Sequence, residues 1–594
     1  MSLPHEGGQH RVVVEHDVGT TMRDGVVLRA DVYRPDAPGR FPVLVVRTPY
    51  DKSVLHKPDG TPAAHLAECH FFPQRGYVVV VQDCRGRHAS EGEFVPFVDE
   101  GADGYDTVEW AAAQPWSTGD VGMAGQSYQA ITQYLAALEQ PPSLRAIAPV
   151  SGPTALFQNC IRRHGVFELG WILPYYIGFG RDRLERLGTA ATRQPEVDAY
   201  LEDPAVRFSP LRREEYLHLP VLDWADRLAD VAPYLRETLE ERVDGPYWEA
   251  VDAVRRAERI QVPALHVASW YDSFLPDPLA IFQRLRPGGQ DVPGREQRLL
   301  VGPWGHIAFS TPTSGGTGDA DFGPESVIEL QETLLRWFDH HLRGLDTGLL
   351  DEPPVRLFVM GDDRWRDEPG WPLERAVTRE LYLHSGGAAN SSAGDGTLSF
   401  DRPGAEPPDA FDYDPDDPVP TRGGTTLMNL AMTGGVLDQS EVEQRADVLV
   451  YTGEELTEPL EVTGPVSVVL HAVSTAPDTD FTAKLVDLQP DGYARNVVEG
   501  IVRASFRASL SDPTPIAPGE VVTYEIDLWA TSHVFAPGHR LRLEVSSSNF
   551  PRYERNPNTG EPAGTATSVV VAHQRVLHET AFASHVRLPV VERS

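Results

Sequence analysis

Cysteine and long apolar runs are scarce in this chain of 594 residues. Its three cysteines, Cys69, Cys84 and Cys160, cannot form a disulfide framework, and none belongs to a C-x-x-C pair typical of metal or redox sites. No run of about 18 apolar residues occurs, and Met1 to Val12 lacks the apolar core of a secretory signal. These absences argue against a disulfide scaffold and predict a cytoplasmic protein that does not span a membrane.

Positive charge is also in the minority. The chain carries 52 Lys and Arg against 87 Asp and Glu, a formal net charge of −35. A nucleic acid would be repelled unless a local basic patch reversed the field, and the sequence offers no such patch. We therefore expect neither a nucleic-acid nor a membrane partner. A homo-oligomer stays open, because exposed patches cannot be read from a sequence.

The first half of the chain alternates short β-rich runs with helical patterns. The apolar runs are Pro42 to Val46, Tyr77 to Val81, Val121 to Ala124, Ala146 to Val150, Val262 to Ala268 and Arg298 to Val301. Continuous apolar runs are typical of strands buried on both faces, which predicts a mostly parallel sheet between layers of helices. An apolar stripe from Ser326 to Leu342, followed by Gly344 as a C-cap, predicts the helix that closes this α/β domain.

Two other regions depart from this pattern. Between about Gly152 and Arg255 the strand signals vanish, and stretches such as Leu235 to Val243 indicate a helical insertion that caps the site. Beyond about Pro353 apolar and polar residues alternate, which predicts a β-sandwich. We expect an α/β core at 1–152 and 255–350, a helical cap at 153–254 and the sandwich at 351–594. The segment from Gly386 to Pro420 reads as surface loops, and its acidic run 412–417 lacks the ligand spacing of a calcium site.

The strongest chemical signal is a serine on a sharp turn. A β-rich run ends at Gly125, Ser127 follows two residues later, and a helical stripe begins with Ile131. This context is a nucleophile elbow, which lifts the hydroxyl above the sheet and points the N–H groups of a helix toward developing negative charge. A helix-capping serine is the plainer alternative, but the strand before and the helix after favour the elbow.

A serine hydroxyl needs a histidine base and an acid that orients the histidine. In α/β-hydrolases these residues follow the serine in the order acid, then histidine. Asp272 comes directly after the run Val262 to Ala268, and His306 follows the next run, Arg298 to Val301. Both therefore fall at the carboxyl ends of strands, where open α/β sheets place their sites. The sequence predicts Ser127, Asp272 and His306 as nucleophile, acid and base.

Five separated motifs give the chain a family resemblance. They are Pro49-Tyr-Asp-Lys52, Gln82-Asp-Cys-Arg-Gly86, Gly125-Gln-Ser-Tyr128, Trp270-Tyr-Asp272 and Gly302-Pro-Trp-Gly-His306. Together they resemble the cocaine esterase and X-prolyl dipeptidyl peptidase group of α/β-hydrolases. The resemblance continues in Val355-Arg-Leu-Phe-Val-Met-Gly361 and in Ser548-Asn-Phe-Pro-Arg-Tyr553. It implies an α/β-hydrolase core with an inserted helical cap, followed by a C-terminal jelly-roll sandwich.

The resemblance also implies roles for residues that the sequence alone would not single out. The phenol of Tyr50 and the backbone N–H of Tyr128 would form the oxyanion hole. An apolar acyl pocket would draw on four further side chains: Trp171, Phe274, Leu427 and Met428. Relatives usually carry glycine three residues after the nucleophile, where this chain has Ala130, and the roles of Gln126 and Gln129 stay open.

These features predict a serine esterase that works through an acyl-enzyme and requires no metal or organic cofactor. An amidase of the same fold is the first alternative, either an X-prolyl dipeptidyl aminopeptidase or a β-lactam acylase. A peptidase needs acidic groups to grip the free amine of its substrate, and the cap offers many carboxylates, among them Glu168, Asp182 and Glu185, without a pattern that places any of them at the site. The second alternative is a carbohydrate-binding protein with an inert core, against which the intact set of Ser127, Asp272 and His306 argues.

Overall fold

The computed structural model describes residues 10–53, 68–306, 316–427 and 434–593. The N-terminal part builds strands and helices in alternation. In chain order they are β1 Val12–Thr21, β2 Val27–Pro35, β3 Phe41–Thr48, α1 Glu68–Phe71, β4 Val78–Asp83, α2 Glu100–Ala112, β5 Ser117–Gln126, α3 Tyr128–Leu138 and β6 Leu144–Val150. Strands β3 and β4 are almost wholly buried, as their continuous apolar sequences predict.

A mainly helical stretch follows β6. It contains a short hairpin and then helices: β7 Arg162–Arg163, β8 Val166–Phe167, α4 Leu169–Arg186, α5 Ala190–Asp198, α6 Arg213–Tyr216, α7 Asp223–Arg227, α8 Leu235–Glu240 and α9 Pro246–Glu249. The apolar face of α4 packs into the same core as α3, so the insertion and the sheet share one buried interior. This shared interior is what places cap side chains over the carboxyl edge of the sheet.

The chain then returns to the sheet. These elements are β9 Ala264–Tyr271, α10 Pro276–Leu285, β10 Gln297–Gly305, β11 Gly316–Thr317, β12 Ala320–Asp321, α11 Leu330–Arg343, β13 Val355–Val359 and β14 Arg364–Glu368. The sheet has the order β1-β2-β4-β3-β5-β6-β9-β10-β13-β14. Strands from β4 to β13 in this order run parallel. At the two ends of this block, β2 pairs antiparallel with β4 and β14 pairs antiparallel with β13, and the edge strand β1 pairs antiparallel with β2.

The C-terminal part is built from strands. They are β15 Val377–His384, β16 Thr397–Ser399, β17 Asp409–Tyr413, β18 Leu449–Gly453, β19 Leu460–Ser474, β20 Asp480–Leu488, β21 Ala494–Arg503, β22 Val522–Phe535, β23 Arg540–Ser546, β24 Ala572–Glu579, β25 Phe582–Ala583 and β26 His585–Val591. Alternate side chains of these strands meet in one apolar core. The predicted fold class, an α/β-hydrolase core with a helical insertion and an all-β sandwich after it, is confirmed.

Local differences from the sequence predictions have simple causes. The helix predicted from Ser326 begins at Leu330, because Pro324–Ser326 forms a 3-10 turn and Val327 is extended. Gly344 caps this helix in the left-handed conformation, as expected. The segment read as loops between Gly386 and Pro420 contains β16 and β17, so that reading was wrong.

The domain boundaries remain predictions, but one observation bears on them. The first sheet continues past residue 351, since β13 pairs with β10 and β14 with β13. Within the described ranges, no helix is both long enough and apolar enough to cross a bilayer.

Candidate active site

Ser127 lies on the turn between β5 and α3, and its backbone is strained. Its φ of 62° and ψ of −123° lie outside the regions that residues with a side chain prefer. The turn is closed by two hydrogen bonds of 2.9 Å, from the Ser127 N–H to the Val150 carbonyl and from the Ala130 N–H to the Ser127 carbonyl. Gly125 has a φ of 130°, and a Cβ there would lie 2.6 Å from the Cβ of Gln129. Only glycine fits at position 125, two residues before the serine, and the turn holds the hydroxyl above the sheet.

Three side chains from different strand ends form a hydrogen-bonded series. The Nε2 atom of His306 lies 3.0 Å from the Ser127 Oγ. Its Nδ1 atom lies 3.0 Å and 3.1 Å from the two carboxylate oxygens of Asp272. Asp272 and His306 are buried, with exposed fractions of 1% and 8%. The structure thus brings the three predicted residues within bonding distance.

The sheet explains why Asp272 and His306 meet. Strands β9 and β10 are parallel neighbours, so the residues that follow them share one edge of the sheet. The Asp272 carboxylate also accepts a 3.0 Å hydrogen bond from the backbone N–H of Phe274, which fixes its orientation. The two glutamines whose roles were open also have defined contacts. Gln126 donates through Nε2 to the His306 carbonyl, and Gln129 accepts the Gln126 N–H at 3.1 Å.

The side chain of Tyr50 also lies close to Ser127. Its hydroxyl oxygen lies 3.4 Å from the Ser127 Oγ. Burial raises the pKa of the Tyr50 phenol, and hydrogen bonds from its surroundings, including the Tyr128 backbone, oppose that rise. The Tyr128 side chain points the other way, donating to Glu100 at 2.9 Å and accepting the Phe97 N–H at 2.9 Å. Only the backbone of Tyr128 is therefore available at the site.

The residues expected in an acyl pocket are partly assembled. The ring centroids of Phe274 and His306 lie 5.2 Å apart, and Trp171 lies 5.8 Å from Phe274, both pairs edge to face. Leu427 packs, half-buried, against the core that contains these rings. Met428 lies outside the described residues.

Sequence reasoning missed the aromatic wall around Tyr50. Tyr175 and Phe179 of α4, with Phe208 further along the cap, contact the Tyr50 ring at centroid distances of 6.0 to 6.4 Å. The spacing of Trp171, Tyr175 and Phe179 at four-residue intervals along one helix face was the available signal. The spacing alone does not show which residues this face of the helix contacts.

A metal site would need a group of side chains that can act as ligands. Among the residues that the structure describes, no group of three His, Cys, Asp or Glu side chains has the geometry to hold a metal ion. In the acidic run, Asp416 pairs with Arg555 at 2.7 Å and Asp417 with Arg445 at 3.2 Å. Those carboxylates serve as ion-pair partners.

Fold and site together define a class: an α/β-hydrolase fold that carries serine, histidine and aspartate in hydrogen-bonded series at the carboxyl edge of its sheet. Comparison with known proteins narrows the class. Residues 24–308 match the X-Pro dipeptidyl-peptidase (S15 family) model, and residues 347–587 match the X-Pro dipeptidyl-peptidase C-terminal non-catalytic domain. The cocaine esterase of Rhodococcus sp. (strain MB1 Bresler) is 40% identical over 590 residues, covering 98% of this chain and 99% of the relative.

Two solved structures cover almost the whole chain. An α-amino acid ester hydrolase superposes with a TM-score of 0.80 at 25% identity, over 99% of this chain and 98% of its own. An aminopeptidase from a marine sediment Thaumarchaeota archaeon shares the fold, with a TM-score of 0.81 at 24% identity over 100% and 98% of the two chains. The chain belongs to the cocaine esterase and X-Pro dipeptidyl-peptidase (S15) family of α/β-hydrolases, and it is a serine hydrolase.

Proposed function

We propose that this enzyme cleaves carboxylic esters through an acyl-enzyme on Ser127. The observation that carries the proposal is the placement of His306 Nε2 at 3.0 Å from the Ser127 Oγ while Nδ1 contacts Asp272. With the Nδ1 proton donated to Asp272, the Nε2 lone pair faces the serine hydroxyl. His306 then takes the hydroxyl proton as the oxygen attacks the ester carbonyl, and Asp272 stabilises the imidazolium that forms.

The negative charge of the tetrahedral intermediate falls between Tyr50 and Tyr128. The Tyr50 phenol donates one hydrogen bond to the oxyanion and the Tyr128 backbone N–H donates another, each worth on the order of 3 kcal/mol. Because burial raises the pKa of Tyr50, this phenol keeps its proton at neutral pH and can act as a donor. His306 next protonates the leaving alcohol as the C–O bond breaks, and water releases the acid by the reverse route.

The surroundings of the cap carboxylates favour an ester over a peptide that presents a free amine. Glu168 is buried between Arg163 at 3.0 Å and Arg552 at 3.6 Å. Asp182 pairs with Arg87 at 3.2 Å and lies 3.4 Å from His88. Each of these charges is already compensated by the protein, so neither is free to hold a substrate ammonium. The third carboxylate, Glu185, is exposed on the outside of α4.

The acyl group enters an apolar space in this proposal. Trp171 and Phe274 line up edge to face beside His306, and the half-buried Leu427 contributes to the same core. Aromatic walls suit an aromatic or branched acyl group, since ligand pockets are mostly apolar with few polar anchors. The partner is therefore a small-molecule ester.

A test must separate an esterase from an aminopeptidase that also cleaves activated esters. We expect methyl and p-nitrophenyl benzoate to be hydrolysed, with kcat reduced at least about 10³-fold by Ser127→Ala. Gly-Pro p-nitroanilide should be a poorer substrate, and acetylating the amine of a Gly-Pro ester should change kcat/KM little. A strong preference for the anilide, together with a requirement for the free amine, would establish the peptidase alternative.

The cysteines bear on the cell compartment in which the protein works. We infer a reducing, cytoplasmic environment, because three cysteines are too few for a disulfide framework and the thiols of Cys84 and Cys160 are buried outside any disulfide.

A further inference from the structure

A second tyrosine hydroxyl stands directly behind the first. Tyr175, on helix α4 of the insertion, has its hydroxyl oxygen 2.8 Å from that of Tyr50, a strong hydrogen-bond distance. The hydroxyl of Tyr50 in turn lies 3.4 Å from the Ser127 Oγ. Three hydroxyl groups from the cap, the core and the nucleophile elbow therefore form one series.

The number of hydroxyl protons determines which tyrosine donates the hydrogen bond between Tyr50 and Tyr175. Burial raises the pKa values of both phenols, so each oxygen carries its one hydrogen at neutral pH. Within the described ranges, Tyr50 is the hydrogen-bond partner found for the Tyr175 hydroxyl. One of the two hydroxyls must donate to the other. If Tyr50 donated to Tyr175, it would turn a lone pair toward the oxyanion and repel it.

We propose that Tyr175 is a positioning residue that donates its hydrogen bond to the Tyr50 oxygen and thereby turns the Tyr50 proton toward the oxyanion. The proposal rests on the oxyanion role proposed for Tyr50. A phenol oxygen that accepts a hydrogen bond is also a better donor, because neighbouring hydrogen bonds polarise one another in a poorly solvated site. The cap would thus contribute to catalysis as well as to the pocket wall.

The packing explains how Tyr175 holds its place. Its ring lies 4.3 Å from Phe179 and 5.4 Å from Phe208, and its edge meets Trp171 at 5.4 Å. A phenylalanine at position 175 would keep these ring contacts and lose the hydroxyl alone. The effect of that substitution then reports on the hydrogen bond and little else.

The effect should fall on kcat. The Tyr50 proton matters most when negative charge develops on the substrate, so the contact with Tyr175 gains strength in the transition state. Loss of one neutral hydrogen bond corresponds to roughly a 5- to 10-fold change in rate. We expect Tyr175→Phe to lower kcat on methyl benzoate by about that factor, with KM nearly unchanged.

The neighbouring tyrosine gives a matched control. Tyr176 is buried on the same helix, but its hydroxyl lies 3.3 Å from the Thr238 hydroxyl, away from Tyr50. Tyr176→Phe makes the same chemical change in the same helix and should leave kcat within about twofold of the parent. Melting temperatures of both variants should stay close to the parent, which separates catalysis from folding.

A double-mutant cycle completes the test. If Tyr175 acts only through Tyr50, then Tyr175→Phe should have no further effect on kcat in the Tyr50→Phe background. Equal losses in both backgrounds, or a Tyr175→Phe variant with the parent kcat, would overturn the inference while leaving the esterase proposal intact. A Tyr50→Phe variant with full activity would instead remove the oxyanion role on which the inference rests.

Discussion

Gly152, just after strand β6, faces the helix that follows the nucleophile, and its replacement tests how tightly the elbow is packed. A Cβ on Gly152 would lie 2.4 Å from the Cβ of Ala130 and 3.1 Å from the Ser127 carbonyl oxygen, where ordinary contacts are 3.4–4 Å. The methyl group of Ala130 thus fills the space that the missing side chain of Gly152 leaves. A Gly152→Ala substitution must push α3 or the elbow aside. We expect it to lower stability by about 1–3 kcal/mol, as overpacking does.

The displaced elbow carries Ser127, so activity should fall as well. A shift of a fraction of an ångström in the nucleophile corresponds to a loss of about 10-fold or more in kcat. The decisive comparison is a double variant that removes the methyl group from position 130 and adds one at position 152. Ala130→Gly alone should cost about 1 kcal/mol through helix propensity. In the Ala130→Gly, Gly152→Ala double variant, the 2.4 Å overlap is gone, and the 3.1 Å contact with the Ser127 carbonyl oxygen and an ordinary 3.4 Å contact with the backbone of residue 130 remain.

The assay is urea unfolding of the four proteins, followed by kcat on one ester. The double variant should be more stable than Gly152→Ala alone, a coupling that contacting residues show and distant ones do not. Additive losses, or a Gly152→Ala enzyme with parental stability and activity, would refute the close packing described for this contact.

Two further predictions concern Gln126 and His578. Because Gln126 donates a hydrogen bond to the His306 carbonyl, Gln126→Ala should lower kcat about 5- to 10-fold at similar KM. The control variant Gln140→Ala removes a similar hydrogen bond, to the Arg259 carbonyl, and should leave kcat unchanged. Equal effects of the two substitutions on kcat would contradict a positioning role for Gln126. Burial opposes charge on His578, but hydrogen bonds of 2.9 Å to Asp409 and 3.0 Å to Glu406 raise its pKa. Its stabilising contribution is then full below about pH 6.5 and is lost as pH rises through the raised pKa. Unfolding free energies should converge between parent and His578→Gln at high pH; a constant difference would count against the ion pair.

The sequence suggests the three candidate residues because each comes shortly after an apolar run that predicts a strand, and the structure brings them within hydrogen-bonding distance. Parallel strands deliver Ser127, Asp272 and His306 to one edge of the sheet, so their order along the chain is enough to suggest that they meet. The edge strands β1 and β2 were not predicted. Nearly all residues of β1 are exposed or half-buried, and the sequence of β2, although mostly buried in the sheet, is interrupted by charged residues and lacks a continuous apolar run.

The misread segment in the sandwich has a different cause. In β17 the inward Phe411 and Tyr413 alternate with the exposed Ala410 and Asp412. That alternation is typical of a strand with one solvent-exposed face, but the surrounding Pro, Gly and Asp residues are typical of loops and led to the wrong prediction. The contact of Tyr175 with Tyr50 could not be predicted from the sequence, for a third reason. This contact joins residues 125 positions apart and depends on how the cap packs on the core.

The most direct test of the account is covalent labelling of the nucleophile. A fluorophosphonate reacts with a serine only when a neighbouring base activates it. We expect one phosphonyl group per chain, located on Ser127 by peptide mass analysis, with labelling abolished in Ser127→Ala and strongly slowed in His306→Ala. A chain that hydrolyses esters while Ser127 stays unlabelled, or that labels equally fast without His306, would contradict the central claim.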